Sequence, residues 1–523
     1  MLTSAGRDAR WLLSARVNAT PNQTCLIWYP STAPAQRFTY AEFGERVRAL
    51  AAGLAHFGVQ PQDRVWLHLD NCCEFLLLWH ACLLLGAVAV SGNTQWTLDE
   101  TKYGLDLTNP VAAVTHRRYI SRFQSSTLRL KWIAVVDDPS ERTHADDQRD
   151  ILRFSQLSLN AAPMGSMERQ PWPSESHANI QFTSGSSGRP KAVVWTHANV
   201  VLGAQLVANH FGLKADDVTL VYLPLYHANA LMYSHLSTFW SGGTTVLLPR
   251  FRADVFWDAA VREQCTWTSM TDFAGHILRE TVPPQTHSFR FWMANACDKP
   301  EYRDQFNIRT VGFWGMTETV SSGIVGEVLF SNRPMTIGRC ALGGEIAVVD
   351  ETGVPVQPNG VGELLVRRLP GVTMCAGYLA EDGSVDIPVD RSGWFHTGDL
   401  VKILADGYIS FDRRKRDAIR VGGELVASAE IERVIAAVDG VVEVAVIGKP
   451  DAWLGEIPVA FIVARNCEDP RPAVLATCRN ALARFKIPRE VIILNCLPRT
   501  GAFKIAKQEL RSLLASTTAR PDS

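Results

Sequence analysis

Residues 181–197, Gln-Phe-Thr-Ser-Gly-Ser-Ser-Gly-Arg-Pro-Lys-Ala-Val-Val-Trp-Thr-His, constrain this chain more than any other stretch. Thr183, Ser184, Gly185, Ser186, Ser187 and Gly188 interleave hydroxyls with glycines, and Arg189, Pro190 and Lys191 follow. Glycine lets the backbone approach an anion and turn its N–H groups toward it, while hydroxyls and a lysine add donors and positive charge. Such a loop holds the phosphates of a nucleotide; the same composition also makes a flexible linker, and at this point both readings stand. A P-loop is excluded, because it needs Gly-Lys-Ser/Thr running into a helix. Here Pro190 precedes the lysine and the apolar run 192–195 reads as a strand, which sets the loop against a sheet.

With 523 residues the chain is long enough for more than one domain. Hydrophobic residues make up 46% and charged residues 20%, the profile of a globular protein rather than a disordered one. A formal net charge of −1 supplies no global field for nucleic acid or an anionic membrane. The eleven cysteines form no Cys-x-x-Cys pair or zinc spacing, so they read as reduced thiols in a reducing, cytoplasmic setting. The residues following Met1 lack the apolar core of a signal peptide. The longest apolar run, 75–90, falls short of the ~20 residues that span a bilayer.

Along the chain, Thr39 precedes Phe43, Val47, Leu50, Ala51 and Leu54 at helical spacing, with Gly58 as the stop. Residues 64–69, 111–115 and 132–136 read as strands, and Asn71 as the cap of a helix running through Leu76 and Trp79 to Gly86. Strands alternating with helices predict α/β architecture. Residues 137–179, polar and containing several Pro and Ser, read as a surface excursion. Residues 218–224 form a strand that feeds Tyr226, His227 and Asn229, and Asp272 caps a helix over 273–280. Beyond 416, helices near 428–434 and 473–484 with strands at 442–447 and 459–463 predict a small α+β domain.

Thr-Ser-Gly-Ser-Ser-Gly-Arg-Pro-Lys resembles the phosphate-binding motif of the adenylate-forming enzymes, the family of acyl-CoA synthetases, peptide-synthetase adenylation domains and luciferases. Further segments match that family in order: Trp314-Gly-Met-Thr-Glu318, Trp394-Phe-His-Thr-Gly-Asp399, the region 413–424, and Leu497-Pro-Arg-Thr-Gly-Ala-Phe-Lys504-Ile. The resemblance implies a large N-terminal domain of stacked sheets and helices (1–415) that binds ATP and the acid. A small mobile domain (416–523) follows it. It implies that Thr183 to Gly188 and Lys191 hold phosphate, that Trp314 lies near adenine, and that Thr317 contacts the α-phosphate. Glu318 would hold Mg²⁺, Asp399 and Arg414 the ribose, and Lys504 would be the catalytic lysine. Arg416 would be the hinge and Gly422, Gly423 and Glu424 the coenzyme A tunnel. His227, Asn229, Trp267 and Met270 would line the acyl pocket.

The sequence departs from the family pattern at Ala192, Trp314, Arg413, Arg416 and Phe503. Residues 65–75 look most like the carnitine/crotonobetaine-type CoA ligases. The expected activity is ATP-dependent acid–CoA ligation in a monomer or homodimer, with no nucleic acid and no membrane span. Loading of a separate carrier protein is the alternative acceptor, and a nucleotide-binding pseudoenzyme the alternative class.

Overall fold

The computed structural model describes residues 7–31, 33–123, 130–136, 151–158, 171–183, 190–414, 418–421, 424–451, 454–465, 469–482, 484–500 and 505–518. The chain divides into two compact units, Met1–Ile346 with Val366–Phe395, and Ala347–Leu365 with His396–Ser523.

Two nine-stranded sheets build the first unit. One runs Val385–Asp386, Gly377–Leu379, Lys191–Thr196, His177–Thr183, Val88–Ser91, Arg64–His68, Ala112–His116, Trp132–Val136 and Ile151–Arg153. The other runs Arg339–Cys340, Ile324–Val325, Thr310–Trp314, Phe291–Ala294, Trp267–Ser269, Val218–Val221, Thr244–Leu247, Thr24–Trp28 and Gln36–Thr39. The first is parallel from His177–Thr183 to Ile151–Arg153, as βαβ crossovers require, and turns antiparallel at Lys191–Thr196.

The helix Cys73–Leu85 is apolar on every side, and all its residues but Glu74 are buried, as befits a helix packed between layers. Trp79 donates to Asn179 of one sheet, while Asn71, just before the helix, bonds carbonyls at the strand ends of the other. Burial over Ile180, Phe182, Trp66, Val90, Val194 and Leu379 forms the core on the far face of the first sheet. Tyr40–His56 is the expected helix, closed by a Thr39–Glu42 capping box and followed by Gly58 at φ +82°.

Three expectations are corrected. Asn71 does not cap Cys73–Leu85; the N-cap is Cys72, without a side-chain bond, because the Asn71 amide is spent on Leu223, Leu225 and Leu248. The cap of Asp272–Arg279 is Thr271, whose hydroxyl accepts from the Ala274 N–H, and Asp272 stands in the first turn. Residues 137–179 are not all excursion: Ile151–Arg153 forms a sheet edge and His177–Asn179 enters a central strand.

The strands Glu345–Val349, Val361–Arg367, Trp394–Ile403 and Ile409–Arg414 form a four-stranded sheet, of which residues 347–365 and 396 onward belong to the second unit, with Trp394–Ile403 and Ile409–Arg414 antiparallel. A further sheet carries Glu424–Ala427, Ala418–Val421, Gly455–Ala464 and Val441–Asp451, with Glu490–Ile493 parallel to Gly455–Ala464. Strand alternation splits its core in two. Val446 and Ile462 face Ile431, Ile435 and Val474, whereas Ile447 and Phe461 face Leu510 and Leu514.

Candidate active site

Thr183 ends one strand and Lys191 begins its antiparallel neighbour, and the two are direct cross-strand partners. The hydroxyl- and glycine-rich segment therefore joins two adjacent strands of a sheet. Ser184, Gly185, Ser186, Ser187 and Gly188 lie outside the described residues. Register puts Thr183, Gln181, Lys191, Val193 and Tyr378 on one face, since Tyr378 pairs with Val193 and Gln181 with the same residue from the other side.

Two contacts on that face bring the sequence motifs together. The Lys191 ammonium sits 4.6 Å from the centroid of the Tyr378 ring, within cation–π range. The Tyr378 hydroxyl in turn donates to Glu318 Oε1 at 2.8 Å. Burial, with the Glu318 carboxylate beside it, drives the Tyr378 phenol upward, so it stays protonated and remains a donor.

Glu318 is 3% exposed and follows the strand Thr310–Trp314 in a short turn. The turn's backbone is anchored at successive carbonyls. Tyr233 Oη donates to Met316, Trp195 Nε1 to Thr317, and the Cys375 N–H to Glu318, each at 2.9 Å. Gly315 is required there: a side chain on it would fall 2.9 Å from the Tyr233 hydroxyl. Trp314 is buried at the strand end. The phosphate-loop strands and the Thr317–Glu318 turn, far apart in sequence, thus meet.

A buried carboxylate bonded to Tyr378, whose ring faces Lys191, suits Mg²⁺, a hard cation usually held by one or two carboxylates plus substrate phosphates. Among the described residues no cluster of three or more His, Cys, Asp or Glu offers an all-protein cage. Glu318 is the residue that fits.

Of the predicted acyl-pocket residues, His227, Asn229 and Met270 follow strand ends at one corner of the sheet, whereas Trp267 pairs with Thr219 within it. Asn71 pins this corner by accepting from the Leu225 N–H and donating to the Leu223 carbonyl. The His227 N–H bonds Pro224, and the half-buried Asn229 opens a π-helical stretch, Asn229–Leu236. Wide helical turns of this kind are frequent at functional sites. Met270 is 3.7 Å from the Tyr222 hydroxyl. Trp267 is fully buried in a three-ring cluster with Phe211 and Phe291, at centroid distances of 6.1 and 5.9 Å. Beside them Asp272 accepts from Lys299 Nζ and from Asn295 Nδ2, both at 2.7 Å.

In the second unit Asp399 and Arg414 are direct cross-strand partners of Trp394–Ile403 and Ile409–Arg414, with a register shift immediately after. Asp399 is 1% exposed. Gly398 precedes it at φ +69°, and the Gly398 N–H donates to Glu363. Glu424 pairs with Val421 at a hairpin whose connecting residues, Gly422 and Gly423, lie outside the described residues, as do Arg416 and Lys504. The backbone flanking Lys504 doubles back, with Arg499 bridged to Ile505 and the Ala506 N–H bonded to Pro498.

Sequence reading missed Tyr378 as a site residue, together with Trp195, Tyr233, Asn71 and Lys299. Tyr378 stands outside the contiguous motifs, and all five act through register and tertiary hydrogen bonds that no local pattern displays.

Comparison with known proteins agrees with this geometry. Residues 13–379 match the model of the AMP-binding enzyme family and residues 430–504 that of the AMP-binding enzyme C-terminal domain. The chain is 30% identical over 520 residues to crotonobetaine/carnitine–CoA ligase of Salmonella typhi, covering 97% of this chain and 99% of that one. It superposes on o-succinylbenzoate CoA synthetase of Bacillus subtilis bound to its acyl-adenylate intermediate, with TM-score 0.80, 25% identity and 96% and 97% of the two chains covered. The same enzyme with ATP and magnesium ion matches at TM-score 0.80 and 25% identity, over 96% and 99%. Among the described residues no helix is long and apolar enough to cross a membrane. From its phosphate-loop strands to its C-terminal sheet, this chain belongs to the AMP-binding enzyme family.

Proposed function

We infer that the protein is an AMP-forming acid–CoA ligase. The observation that carries this reading is the convergence of Lys191, Tyr378 and Glu318 beside Thr317 and the phosphate-loop strands. A carboxylate is a poor electrophile, so it attacks the α-phosphorus of ATP. The bond to pyrophosphate breaks, and an acyl-adenylate forms. In the second step the thiol of coenzyme A attacks the acyl carbon and AMP leaves. Two anions meet in the first step. Preorganised donors and cations at the crowded phosphate oxygens lower that barrier.

Lys191 and the loop hydroxyls supply such donors, and Thr317 adds a hydroxyl at the α-phosphate. Magnesium bound at Glu318 supplies Lewis-acid charge neutralisation at the phosphates. Tyr378 holds the Glu318 carboxylate in one orientation. Asp399, with Arg414 opposite, takes the ribose hydroxyls. Lys504 meets the attacking carboxylate and the α-phosphate during adenylation. The C-terminal domain, 416–523, then turns about Arg416 and presents Gly422, Gly423 and Glu424 to the pantetheine arm.

His227, Asn229 and Met270, backed by Trp267, contact the acyl group. The 30% identity to a crotonobetaine/carnitine–CoA ligase supports a carboxylic acid as the substrate that is activated. Free coenzyme A is the acceptor, a carrier protein the alternative, and the enzyme works as a monomer or homodimer in the reducing cytoplasm. A panel of carboxylic acids assayed for AMP formation, with and without CoA, tests the reading. One acid should give AMP in a CoA-dependent steady state. ATP binding with no acid-dependent AMP would leave only a nucleotide-binding protein.

A further inference from the structure

The turn that carries Thr317 and Glu318 contains a strained residue. Val320 has φ +60°, a left-handed region that a β-branched side chain occupies only under strain. It is fully buried, and its Cγ1 lies where a side chain on Gly203 would come within 2.7 Å, beside the Met232 sulfur and methyl. Gly203 belongs to the helix His197–His210, which continues directly from the strand begun by Lys191. The isopropyl group therefore couples the Glu318 turn to the element that carries Lys191.

Such a conformation persists only where the surroundings over-determine it. On the upstream side Tyr233, Trp195 and Cys375 bond the carbonyls of Met316, Thr317 and Glu318. On the downstream side the Thr319 hydroxyl lies 2.9 Å from the Ser321 carbonyl, and one buried charged side chain adds three further bonds. Arg368, 5% exposed, donates from Nη1 to Ser321 Oγ at 2.8 Å and to the Thr373 carbonyl at 3.2 Å, and from Nη2 to the Ser322 carbonyl at 2.5 Å. Among the described residues it makes no ion pair with a carboxylate, so a guanidinium has been buried to bond a hydroxyl and two backbone oxygens. Removing a charge from water without a counter-ion is expensive. Apolar packing would be the cheaper way merely to fill this space.

We propose that Arg368 is a positioning residue for adenylation: by clamping Ser321 and Ser322 it holds Val320 in its left-handed conformation and fixes the direction in which Thr317 and Glu318 present their oxygens. The proposal rests on Thr317 and Glu318 as the contacts to ATP and its metal. A displacement of about 1 Å in such a constellation costs on the order of 10²-fold in rate.

The test compares Arg368→Met, Arg368→Lys, Val320→Gly and Glu318→Gln in the full-length enzyme. Pyrophosphate exchange is followed against ATP and Mg²⁺ concentration, thioester formation from supplied acyl-adenylate is measured separately, and Tm is recorded. Arg368→Met should lower exchange and raise its Mg²⁺ and ATP requirement by roughly 10- to 100-fold, while the thioester step changes far less. Arg368→Lys should recover only part, since an ammonium cannot span both serines as the planar fork does. Val320→Gly relieves the positive φ but empties a buried site, so Tm should change little or fall, and the Mg²⁺ requirement should rise as the turn loosens. Equal loss of both half-reactions with a lowered Tm in Arg368→Met, or Val320→Gly with wild-type Mg²⁺ dependence, would overturn the clamp. Normal Mg²⁺ dependence in Glu318→Gln would instead overturn the reading of the site. A defective Glu318→Gln beside a normal Arg368→Met would remove the clamp alone.

Discussion

The Tyr378 hydroxyl gives the Glu318 carboxylate a charge-assisted hydrogen bond, while the ring beneath it faces Lys191. Tyr378→Phe keeps the ring and removes only the donor. A hydrogen bond to a charged group contributes roughly 1.5–3 kcal/mol. Adenylation in Tyr378→Phe should therefore fall by about 10- to 100-fold, with the Mg²⁺ dependence shifted to higher concentration and Tm little changed. Steady-state kinetics over a magnesium titration checks this, and an unaltered titration would leave Tyr378 a packing residue. Asp399 makes a separate prediction. If it accepts from both ribose hydroxyls, Asp399→Ala loses two charge-assisted bonds and should weaken ATP binding by about 2–4 kcal/mol, as read by calorimetry.

The residues legible in the sequence were those inside contiguous motifs: Thr183, Lys191, Thr317, Glu318, Asp399. The residues that orient them were not. Tyr378 reaches Glu318 only because Gly377–Leu379 pairs with Lys191–Thr196 in a particular register, and register follows from tertiary packing rather than from the local string.

At the scale of elements, sequence reading did best where local chemistry and tertiary use agree. Thr39 and Glu42 form a capping box in the helix Tyr40–His56 because nothing else competes for them. Asn71 and Asp272 have the right chemistry for caps, but each is claimed by a distant partner, Asn71 by strand-end carbonyls and Asp272 by Lys299 and Asn295. A side chain with one carboxamide or carboxylate serves whichever partner the fold brings closest. The π-helical stretch Asn229–Leu236 left no trace in the apolar pattern, since its mean spacing differs from an α-helix by a fraction of a residue. It carries an internal contact worth testing. His235 lies against His80, Nε2 to Nε2 at 3.3 Å, and bonds Thr245 on its other nitrogen. Burial holds both rings neutral, and the neighbouring His235 pushes His80 further down.

Those two are part of a larger set in the first unit. Desolvation lowers His68 and His235 to about 3 and His197 and His210 to about 4, and drives His80 well down from the ordinary 6.5. Each is neutral when folded, whereas the unfolded chain takes up a proton as pH falls through 6.5. Protons therefore favour the unfolded state. Stability present at neutral pH is lost progressively from about pH 6.5 down toward pH 3–4, by up to about 1.4 kcal/mol per pH unit for each histidine. Urea unfolding at pH 7, 6 and 5 should show a steep fall; a flat profile between pH 7 and 5 would mean that these rings are hydrated or charged in the folded protein. The ten cysteines among the described residues are all free thiols, so redox conditions should leave the same curve unchanged.

The proposed domain motion also belongs to the scale of the whole molecule. Proline fixes φ near about −65°, so Arg416→Pro should restrict rotation at the proposed hinge. Acyl-adenylate formation should survive while thioester formation falls, in separate single-turnover assays of the two half-reactions. Equal loss of both would place the hinge elsewhere. The most direct test of acid activation itself is carboxylate-dependent exchange of labelled pyrophosphate into ATP, run without coenzyme A. With the right acid the wild-type enzyme should exchange label rapidly, and Lys504→Ala should lose about 10²-fold or more, the effect of removing one preorganised transition-state donor. Exchange that ignores the acid, or that proceeds at the wild-type rate without Lys504, would contradict acyl-adenylate formation by these residues.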